Sequence, residues 1–310
     1  LHALLASARS VVDATGLQPG DAWFSALPLH HVGGLGVILR CVLAGAAMVL
    51  DDRFEPDSSV AALRSGWVTH ASFVARALER TLDAAGDAPF SPSLRWILVG
   101  GGPSASALLH RARRLSLPVF TTYGLTEAGS TVTLHRPDVA LDDPLTAGWP
   151  LPDVRLRVAA PDGDGVGELQ IQSPALFDGY DDERAAPSLS LPTLSSPLGA
   201  LPTQDPASSP PGRWHATGDL GSLLPDGRLR VHDRRRDLIV TGGENVSPTA
   251  VEEVLAGHED VAEACVVGLP HPSWGQQVVA VVRLRGDAPV EPLIAWARDR
   301  LRPAERPRRW

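Results

Sequence analysis

Two glycine-containing loops carry residue types suited to binding a nucleotide. The first loop is Gly100–Pro103, and the second is Thr121–Glu127. Each follows an apolar run typical of a buried strand, over residues 94–99 and 117–120. The carboxyl ends of neighbouring parallel strands open into one crevice, so we expect both loops to face the same ligand.

Side chains in these loops suit different parts of a nucleotide. The Tyr123 ring offers a flat face for a base, the Thr126 hydroxyl a hydrogen bond to a phosphate, and Glu127 a hard oxygen ligand for Mg²⁺. The glycines allow the backbone to approach a ligand closely. Either loop alone is also compatible with an ordinary turn between a strand and a helix.

Composition excludes several classes of protein. The 310 residues carry a net charge of −8, which argues against a nucleic-acid partner. All 28 basic residues are arginines, so no lysine of this chain acts in catalysis. Cys41 and Cys265 lie in apolar runs, and we interpret both as buried free thiols of a reducing cytosol.

Targeting signals are also missing from the sequence. No apolar run reaches the roughly 20 residues of a membrane span, and no signal-peptide pattern begins the chain. We therefore expect a cytoplasmic protein without a membrane span. The sequence does not decide the oligomeric state, and a homo-oligomer remains open.

The first part of the chain alternates between strand-like and helix-like segments. We predict a helix over residues 1–15 that is ended by Gly16. The following predicted strands are 22–29, 46–50, 67–71, 94–99 and 119–122, and the predicted helices are 35–43, 60–64, 73–85 and 105–115. This alternation predicts an α/β fold with a parallel sheet covered by helices.

The pattern changes after Pro137. Predicted hairpins over 154–172 and 221–231 indicate a small antiparallel β region, with a Pro/Ser-rich insertion at 186–212 between them. A compact α+β unit follows Asp237, with Ser247 as the N-cap of a helix at 248–255. The predicted domains are a large one at 1–233, including a β-rich part at 150–233, a hinge at 234–237 and a small one at 238–310.

Three later motifs add chemistry to the two loops. Asp219 adjoins a glycine turn, where its carboxylate can accept two hydrogen bonds from a ribose diol, although Asp beside Gly is common in turns. Arg234, Arg235 and Arg236 form a charge cluster that is either a solvated linker or a hinge. Gly242 and Gly243 permit a second close approach of the backbone.

Taken together, the motifs resemble those of the adenylate-forming superfamily of acyl-CoA synthetases, luciferases and peptide-synthetase adenylation domains. They follow that family's order: Leu27–Gly34, Gly100–Pro103, Tyr123–Glu127, Gly167–Leu169 with Gly179 and Tyr180, Thr217–Leu220 and Arg234–Glu253. Within the superfamily the sequence is most similar to the o-succinylbenzoate–CoA ligases of menaquinone synthesis. Aryl- and fatty-acid–CoA ligases share several of the same cues.

The resemblance implies a two-step reaction and a role for each matched residue. A carboxylate would attack the α-phosphate of ATP, with Mg²⁺, to give an acyl-adenylate and pyrophosphate, and CoA would then take the acyl group. The adenine would be surrounded by Gly101, Gly102, Pro103, Tyr123 and Gly124. Thr126 would contact phosphate, and Glu127 would bind Mg²⁺. The ribose would be held by Asp219 with Arg234. Thr126, Glu127 and Arg234 would be the catalytic residues. His31, Gly33 and Gly124 would line the acyl pocket, Arg236 would be the hinge, and Gly242 and Gly243 would flank the CoA tunnel.

Two parts of the family pattern have no match. The family's phosphate loop would precede the helix at 1–15, and its catalytic lysine would follow Pro307–Arg309. We therefore expect a piece of a longer protein that catalyses adenylation poorly alone. The alternatives are another acyl-CoA ligase, a carrier-protein-loading adenylation enzyme, or a non-catalytic paralogue that binds nucleotide. His30 and His31 are not interpreted as a metal pair, because adjacent side chains point apart and no third ligand is near.

Overall fold

The computed structural model describes residues 1–51, 53–102, 106–135, 146–180, 213–234, 238–242, 244–286 and 288–310. The predicted insertion at 186–212 and the hinge residue Arg236 lie outside the described residues, as do Pro103 and Gly243. No helix in the described part of the chain is long and apolar enough to cross a membrane.

A seven-stranded sheet forms the first and largest layer, in the order β2-β1-β3-β4-β5-β6-β7. Its strands are β1 Ala22–Ser25, β2 Ala47–Leu50, β3 His70–Val74, β4 Trp96–Gly100, β5 Val119–Leu125, β6 Ser130–Leu134 and β7 Trp149–Pro150. Strands β1 to β5 are parallel as predicted, but β6 and β7 are antiparallel, which the sequence analysis missed.

Helices cover both faces of this sheet. They are α1 His2–Thr15, α2 Val32–Ala44, α3 Pro56–Arg64, α4 Ala75–Ala85 and α5 Ser106–Arg114. Successive strand residues point to opposite faces, so Phe24 packs with Leu63 and Leu78 under α3 and α4, while Trp23 packs with Val37 under α2. Burial on both faces explains why these strands read as continuous apolar runs.

The antiparallel β region is a four-stranded sheet in the order β11-β10-β9-β8. Its strands are β8 Arg155–Ala159, β9 Gly167–Gln172, β10 His215–Leu223 and β11 Leu229–Arg234. The two predicted hairpins are confirmed, but β10 begins at His215 rather than Gly221. Asp219 therefore lies within a strand and not on a turn, because β9 pairs with the residues on both sides of it.

The last unit consists of a third sheet, in the order β13-β12-β15-β14, and two helices. The strands are β12 Ile239–Thr241, β13 Glu244–Val246, β14 Val261–His271 and β15 Gly275–Leu284, and the helices are α6 Pro248–Ala256 and α7 Glu291–Arg300. Ser247 is the N-cap of α6, as predicted, since its side chain accepts a hydrogen bond from the backbone N–H of Ala250. This unit has its own core around Val251, Val266 and Leu293.

The two cysteines differ in their environments. Cys41 is buried under the first sheet, and burial raises the pKa of its thiol to about 11, with the charge of Arg40 opposing the shift. Cys265 is exposed, so the prediction that both thiols are buried is wrong for this residue. It lies on the outer face of β14, while the next residue, Val266, points into the core.

Candidate nucleotide-binding site

The two glycine-containing segments lie side by side, as the sequence predicts, but residues 121–125 of the second belong to strand β5 and not to a loop. Strands β4 and β5 are parallel neighbours, with Val99 paired to Thr121. Gly101 has a φ of 83°, a left-handed conformation that favours glycine. Among the described residues, none apart from the chain neighbours of Gly102 has a heavy atom within 4 Å of where a Cβ on Gly102 would be. The backbone after β4 is therefore open to a ligand at the carboxyl end of the sheet.

Gly124 is required by the hairpin between β5 and β6. A Cβ at this position would lie 1.9 Å from the carbonyl oxygen of Ser130 on the facing strand. The pairing register also shifts between Tyr123 and Gly124. The close approach of two strands thus explains this glycine, and its contact with adenine or acyl group stays a prediction.

A buried hydrogen bond joins the first sheet to the second. The Tyr123 hydroxyl donates to Oδ2 of Asp219 at 2.7 Å, and each residue is only 8% exposed. Thr217 Oγ1 accepts from the backbone N–H of Asp219 at 3.1 Å. Gly218, between them, has a φ of 76°. These contacts fix the direction of the Asp219 carboxylate.

The ring of Tyr123 packs into the core between the two sheets. Its neighbours there include Val132, Leu169 and Leu229. Because so little of the residue is exposed, the structure offers only part of the ring to a base. Stacking of a base on Tyr123 stays a prediction, while the geometry adds a role in orienting Asp219.

Arg234 lies next to Asp219 along the backbone ladder. The two residues are directly paired across the antiparallel strands β10 and β11. This places Arg234 beside the residue predicted to hold the ribose, as the sequence analysis expects. The contact of Arg234 with a nucleotide stays a prediction.

Thr126 and Glu127 lie in a short 3₁₀ turn, Thr126–Ala128, at the end of β5. Both side chains are partly accessible to solvent. The hydroxyl of Tyr180 donates to Oε1 of Glu127 at 2.8 Å, and the backbone N–H of Phe177 donates to its carbonyl oxygen at 2.8 Å. The turn is therefore attached to the segment that follows β9.

His215 lies beside this attachment. The edge of its ring meets Phe177, with 5.3 Å between ring centroids and an 81° angle between planes. Burial lowers the pKa of His215 below its ordinary value, and the nearby charge of Glu127 opposes that shift. The sequence analysis missed Phe177 and His215, although the Gly179–Tyr180 motif marks their neighbourhood.

The donor set near Glu127 suits a magnesium ion carried by a nucleotide. No group of three or more His, Cys, Asp and Glu residues lies within metal-binding reach of one another among the residues that the structure describes. Mg²⁺ keeps several waters and is commonly bound by one or two carboxylates plus substrate phosphates. The carboxylate of Glu127, with Oε1 held by Tyr180 and Oε2 left for a cation, meets that requirement.

A buried arginine, Arg40 of α2, supports the strand after the 3₁₀ turn. Its Nη2 donates to Thr131 Oγ1 at 3.2 Å and to Ser130 Oγ at 3.4 Å. Burial lowers the pKa of the guanidinium to about 10, with Cys41 opposing, so the group remains charged at neutral pH. The sequence analysis missed Arg40, because an arginine within an apolar helix gives no local signal.

The residues predicted for the acyl pocket also have structural roles. His31 is the N-cap of α2, and its Nδ1 accepts from the backbone N–H of Gly33 at 3.2 Å. A Cβ on Gly34 would lie 2.3 Å from the carbonyl oxygen of Pro28. Helix α2 therefore begins at Val32 rather than Leu35. The contact of His31 and Gly33 with an acyl group stays a prediction.

Gly242, predicted to flank a CoA tunnel, packs against Trp274. Its φ is 59°, and a Cβ there would lie 2.9 Å from the Trp274 ring. The backbone N–H of Gly242 donates to the carbonyl oxygen of Trp274 at 2.9 Å. This contact explains the glycine, and its role beside CoA stays a prediction.

Comparison with known protein families identifies the family of this chain. Residues 1–181 match the family of AMP-binding enzymes, and residues 250–310 match the C-terminal domain of AMP-binding enzymes. The chain belongs to the AMP-binding enzyme family. The resemblance to adenylate-forming enzymes stated from the motifs is confirmed.

The chain is similar to 2-succinylbenzoate–CoA ligases from several bacteria. It is 37% identical over 294 residues to that of Geobacillus kaustophilus, covering 92% of this chain. It is 34% identical over 293 residues to that of Bacillus mycoides, again covering 92% of this chain. The chain spans 56% of the length of each of these relatives.

Solved structures of a similar enzyme have the same fold. The o-succinylbenzoate CoA synthetase of Bacillus subtilis, in complex with its acyl-adenylate intermediate, is 31% identical with a TM-score of 0.82, over 99% of this chain and 60% of that one. The same enzyme in complex with ATP and magnesium ion is 31% identical with a TM-score of 0.81, over 100% and 61% of the two chains. The predicted fold class is thereby confirmed.

Proposed function

We propose that this chain is part of an ATP-dependent acid–CoA ligase that activates a carboxylate as an acyl-adenylate and transfers the acyl group to CoA. In the first step a carboxylate oxygen attacks the α-phosphate of ATP, and pyrophosphate leaves. In the second step the CoA sulfur attacks the acyl carbon, and AMP leaves. The observation that carries the proposal is the buried Tyr123–Asp219 pair beside the Glu127 turn, at the carboxyl end of β4 and β5.

The residues of this chain bind and orient the nucleotide in this proposal. Asp219 accepts hydrogen bonds from the two ribose hydroxyls, with Arg234 beside it on the paired strand. The backbone of Gly101 and Gly102 receives the adenine edge, and Thr126 donates to a phosphate oxygen. Glu127 would hold Mg²⁺, which when bound supplies charge for the developing phosphate oxygens.

o-Succinylbenzoate is the proposed acid, and menaquinone synthesis is the proposed pathway. The support is the likeness to 2-succinylbenzoate–CoA ligases and to the o-succinylbenzoate CoA synthetase of Bacillus subtilis. The use of ATP and CoA favours the cytoplasm. We also propose that the unit after residue 237 moves about a hinge at 234–237 to bring CoA to the adenylate.

Calorimetric titration with a non-hydrolysable acyl-AMP mimic tests the proposal without requiring turnover. We expect a single site in this chain. Asp219→Ala should weaken binding about 100-fold, because two hydrogen bonds to a charged group are lost. The matched control is Asp13→Ala, which removes an exposed carboxylate of α1. Equal affinity for Asp219→Ala and the unaltered chain would show that the ribose assignment is wrong.

The identity of the acid is tested by comparing the affinities of different acyl-AMP mimics for this site. The o-succinylbenzoyl mimic should bind more tightly than a fatty-acyl or a simple benzoyl mimic. A preference for either of the other two would identify a different CoA ligase. Absence of binding by all three would leave the chain without the proposed nucleotide site.

A further inference from the structure

The chain contains only two tyrosines, and the hydroxyl of each one is hydrogen-bonded to an acidic residue of the proposed site. The Tyr123 hydroxyl donates to Asp219 at 2.7 Å, and the Tyr180 hydroxyl donates to Glu127 at 2.8 Å. The first bond is buried, and the second is exposed to solvent. In both cases a tyrosine hydroxyl therefore donates a hydrogen bond to one oxygen of the carboxylate.

We propose that Tyr180 is a positioning residue that holds the Glu127 carboxylate for a divalent cation carried by the nucleotide. The inference deepens the proposed function and rests on it. A hydrogen bond from the phenol occupies Oε1 of Glu127, which limits the rotamers of the side chain and leaves Oε2 for the cation. Metal ligands that are carboxylates are commonly oriented by such hydrogen bonds.

The surroundings of Tyr180 hold its ring in place. Phe177 meets the Tyr180 ring edge-on, with 4.9 Å between centroids and 72° between planes. The backbone of Phe177 also donates to the carbonyl oxygen of Glu127, and Leu176 packs into the core that contains Tyr123. Backbone and side chain of Glu127 are therefore both attached to residues 176–180.

Without this attachment the Glu127 side chain would have little to fix it. It extends from a three-residue 3₁₀ turn, and a freely rotating glutamate loses rotamer entropy when it binds a cation. A hydrogen bond to a charged group is among the stronger ones in proteins. Removing the phenol hydroxyl should therefore weaken cation binding by about tenfold.

The test compares Tyr180→Phe with its matched partner Tyr123→Phe. Binding of Mn²⁺, a spectroscopic substitute for Mg²⁺, is measured by electron paramagnetic resonance in the presence of α,β-methylene-ATP. AMP affinity is measured separately by calorimetry in EDTA. Tyr180→Phe should weaken Mn²⁺ binding about tenfold and leave AMP affinity nearly unchanged. Tyr123→Phe should mainly lower the affinity for AMP. Equal Mn²⁺ affinity in Tyr180→Phe and the unaltered chain, or equal losses of Mn²⁺ and AMP, would overturn the inference.

A second measurement needs no nucleotide. Incorporation of 3-fluorotyrosine gives two fluorine resonances, which the two Tyr→Phe variants assign. Glu127→Gln should shift the Tyr180 resonance in the ligand-free protein and leave that of Tyr123 in place. An unmoved Tyr180 resonance would overturn the inference. A shifted resonance in a chain that binds no AMP would show that Tyr180 holds Glu127, but it would contradict the proposed function and with it the role in cation binding.

Discussion

The two ends of the proposed site differ in how they are built. The nucleoside end, defined by Tyr123, Thr217 and Asp219, consists of strand residues, and Tyr123 and Asp219 are each 8% exposed. The phosphate end, defined by Thr126, Glu127 and Tyr180, consists of a 3₁₀ turn and a loop, and Tyr180 is 48% exposed. The first end is fixed by the packing of two sheets, and the second is held by hydrogen bonds at the surface.

This difference suits the proposed chemistry. In the proposed reaction the adenosine would keep its place through both steps, so a preorganised binding surface would avoid ordering costs at each step. The phosphate end would have to accept ATP and Mg²⁺ and later release pyrophosphate. A turn that is held by a few exposed contacts can adjust without disturbing the core.

The largest expected effect is a loss of stability in acid, caused by a buried histidine of the first sheet. His70 of β3 is fully buried and stacks on Trp23, and burial, with help from Arg95, lowers its pKa to about 4 from 6.5. Between these values the unfolded chain binds a proton that the folded chain does not. The free energy of unfolding should therefore fall by about 3 kcal/mol as the pH drops through this window.

Urea denaturation at several pH values measures this contribution. His70→Gln should flatten the pH dependence between 6.5 and about 4. His110→Gln, which replaces an exposed histidine of α5, should leave it unchanged. The same slope in His70→Gln and in the unaltered protein would contradict the prediction.

The second expected effect separates Gly124, which packs against a facing strand, from Gly102, which does not. Gly124→Ala should destabilise the protein by about 3 kcal/mol, because its Cβ would collide with the carbonyl oxygen of Ser130. Gly102→Ala should change stability by less than about 0.5 kcal/mol, since its Cβ would meet open space. Chemical denaturation checks both, and equal stabilities of the two variants would refute the explanation of Gly124.

The third expected effect concerns how the nucleoside end recognises ribose. The chain should bind 2′-deoxy-AMP about tenfold more weakly than AMP, because one hydrogen bond to the Asp219 carboxylate is missing. In Asp219→Ala the two nucleotides should bind with equal affinity. Calorimetric titrations measure both differences, and discrimination that survives in Asp219→Ala would place the ribose elsewhere.

The smallest expected effect concerns His31, which lies outside both the nucleoside end and the phosphate end of the proposed site. His31→Ala should cost about 1 kcal/mol of stability through loss of the α2 cap, and His31→Asn should restore most of it. Thermal denaturation measures the loss and the rescue. If His31 also lines the acyl pocket, His31→Asn will still bind the acyl-AMP mimic weakly, whereas full affinity would limit His31 to its capping role.

Much of this fold could be predicted because its signals are local. The alternation of apolar runs indicated the parallel strands, and Ser247 indicated the start of α6. Strands β6 and β7 were not predicted, because they are defined by pairing with strands elsewhere in the chain: β6 pairs back on β5, and β7 pairs on β6. The pair Gly33 and Gly34 resembled a helix breaker, yet capping by His31 and close packing of Gly34 against Pro28 place both glycines inside α2.

The sequence named the acidic residues of the candidate site but not the residues that hold them in place. The motifs named Glu127 and Asp219, because both carboxylates lie in short glycine-containing motifs that are visible in sequence. They did not pair Tyr123 with Asp219 or Tyr180 with Glu127, since these contacts join residues far apart in the chain. Cys265 was misplaced because an apolar run does not reveal which face of β14 lacks a covering layer.

The most direct measurement of the central claim is a crystal structure of this chain grown with AMP. The account predicts that both ribose hydroxyls lie within about 3 Å of the Asp219 carboxylate. It also predicts the base beside Gly101 and Gly102, and the phosphate toward Thr126 and Glu127. AMP bound elsewhere on the molecule, or a ribose turned away from Asp219, would contradict it.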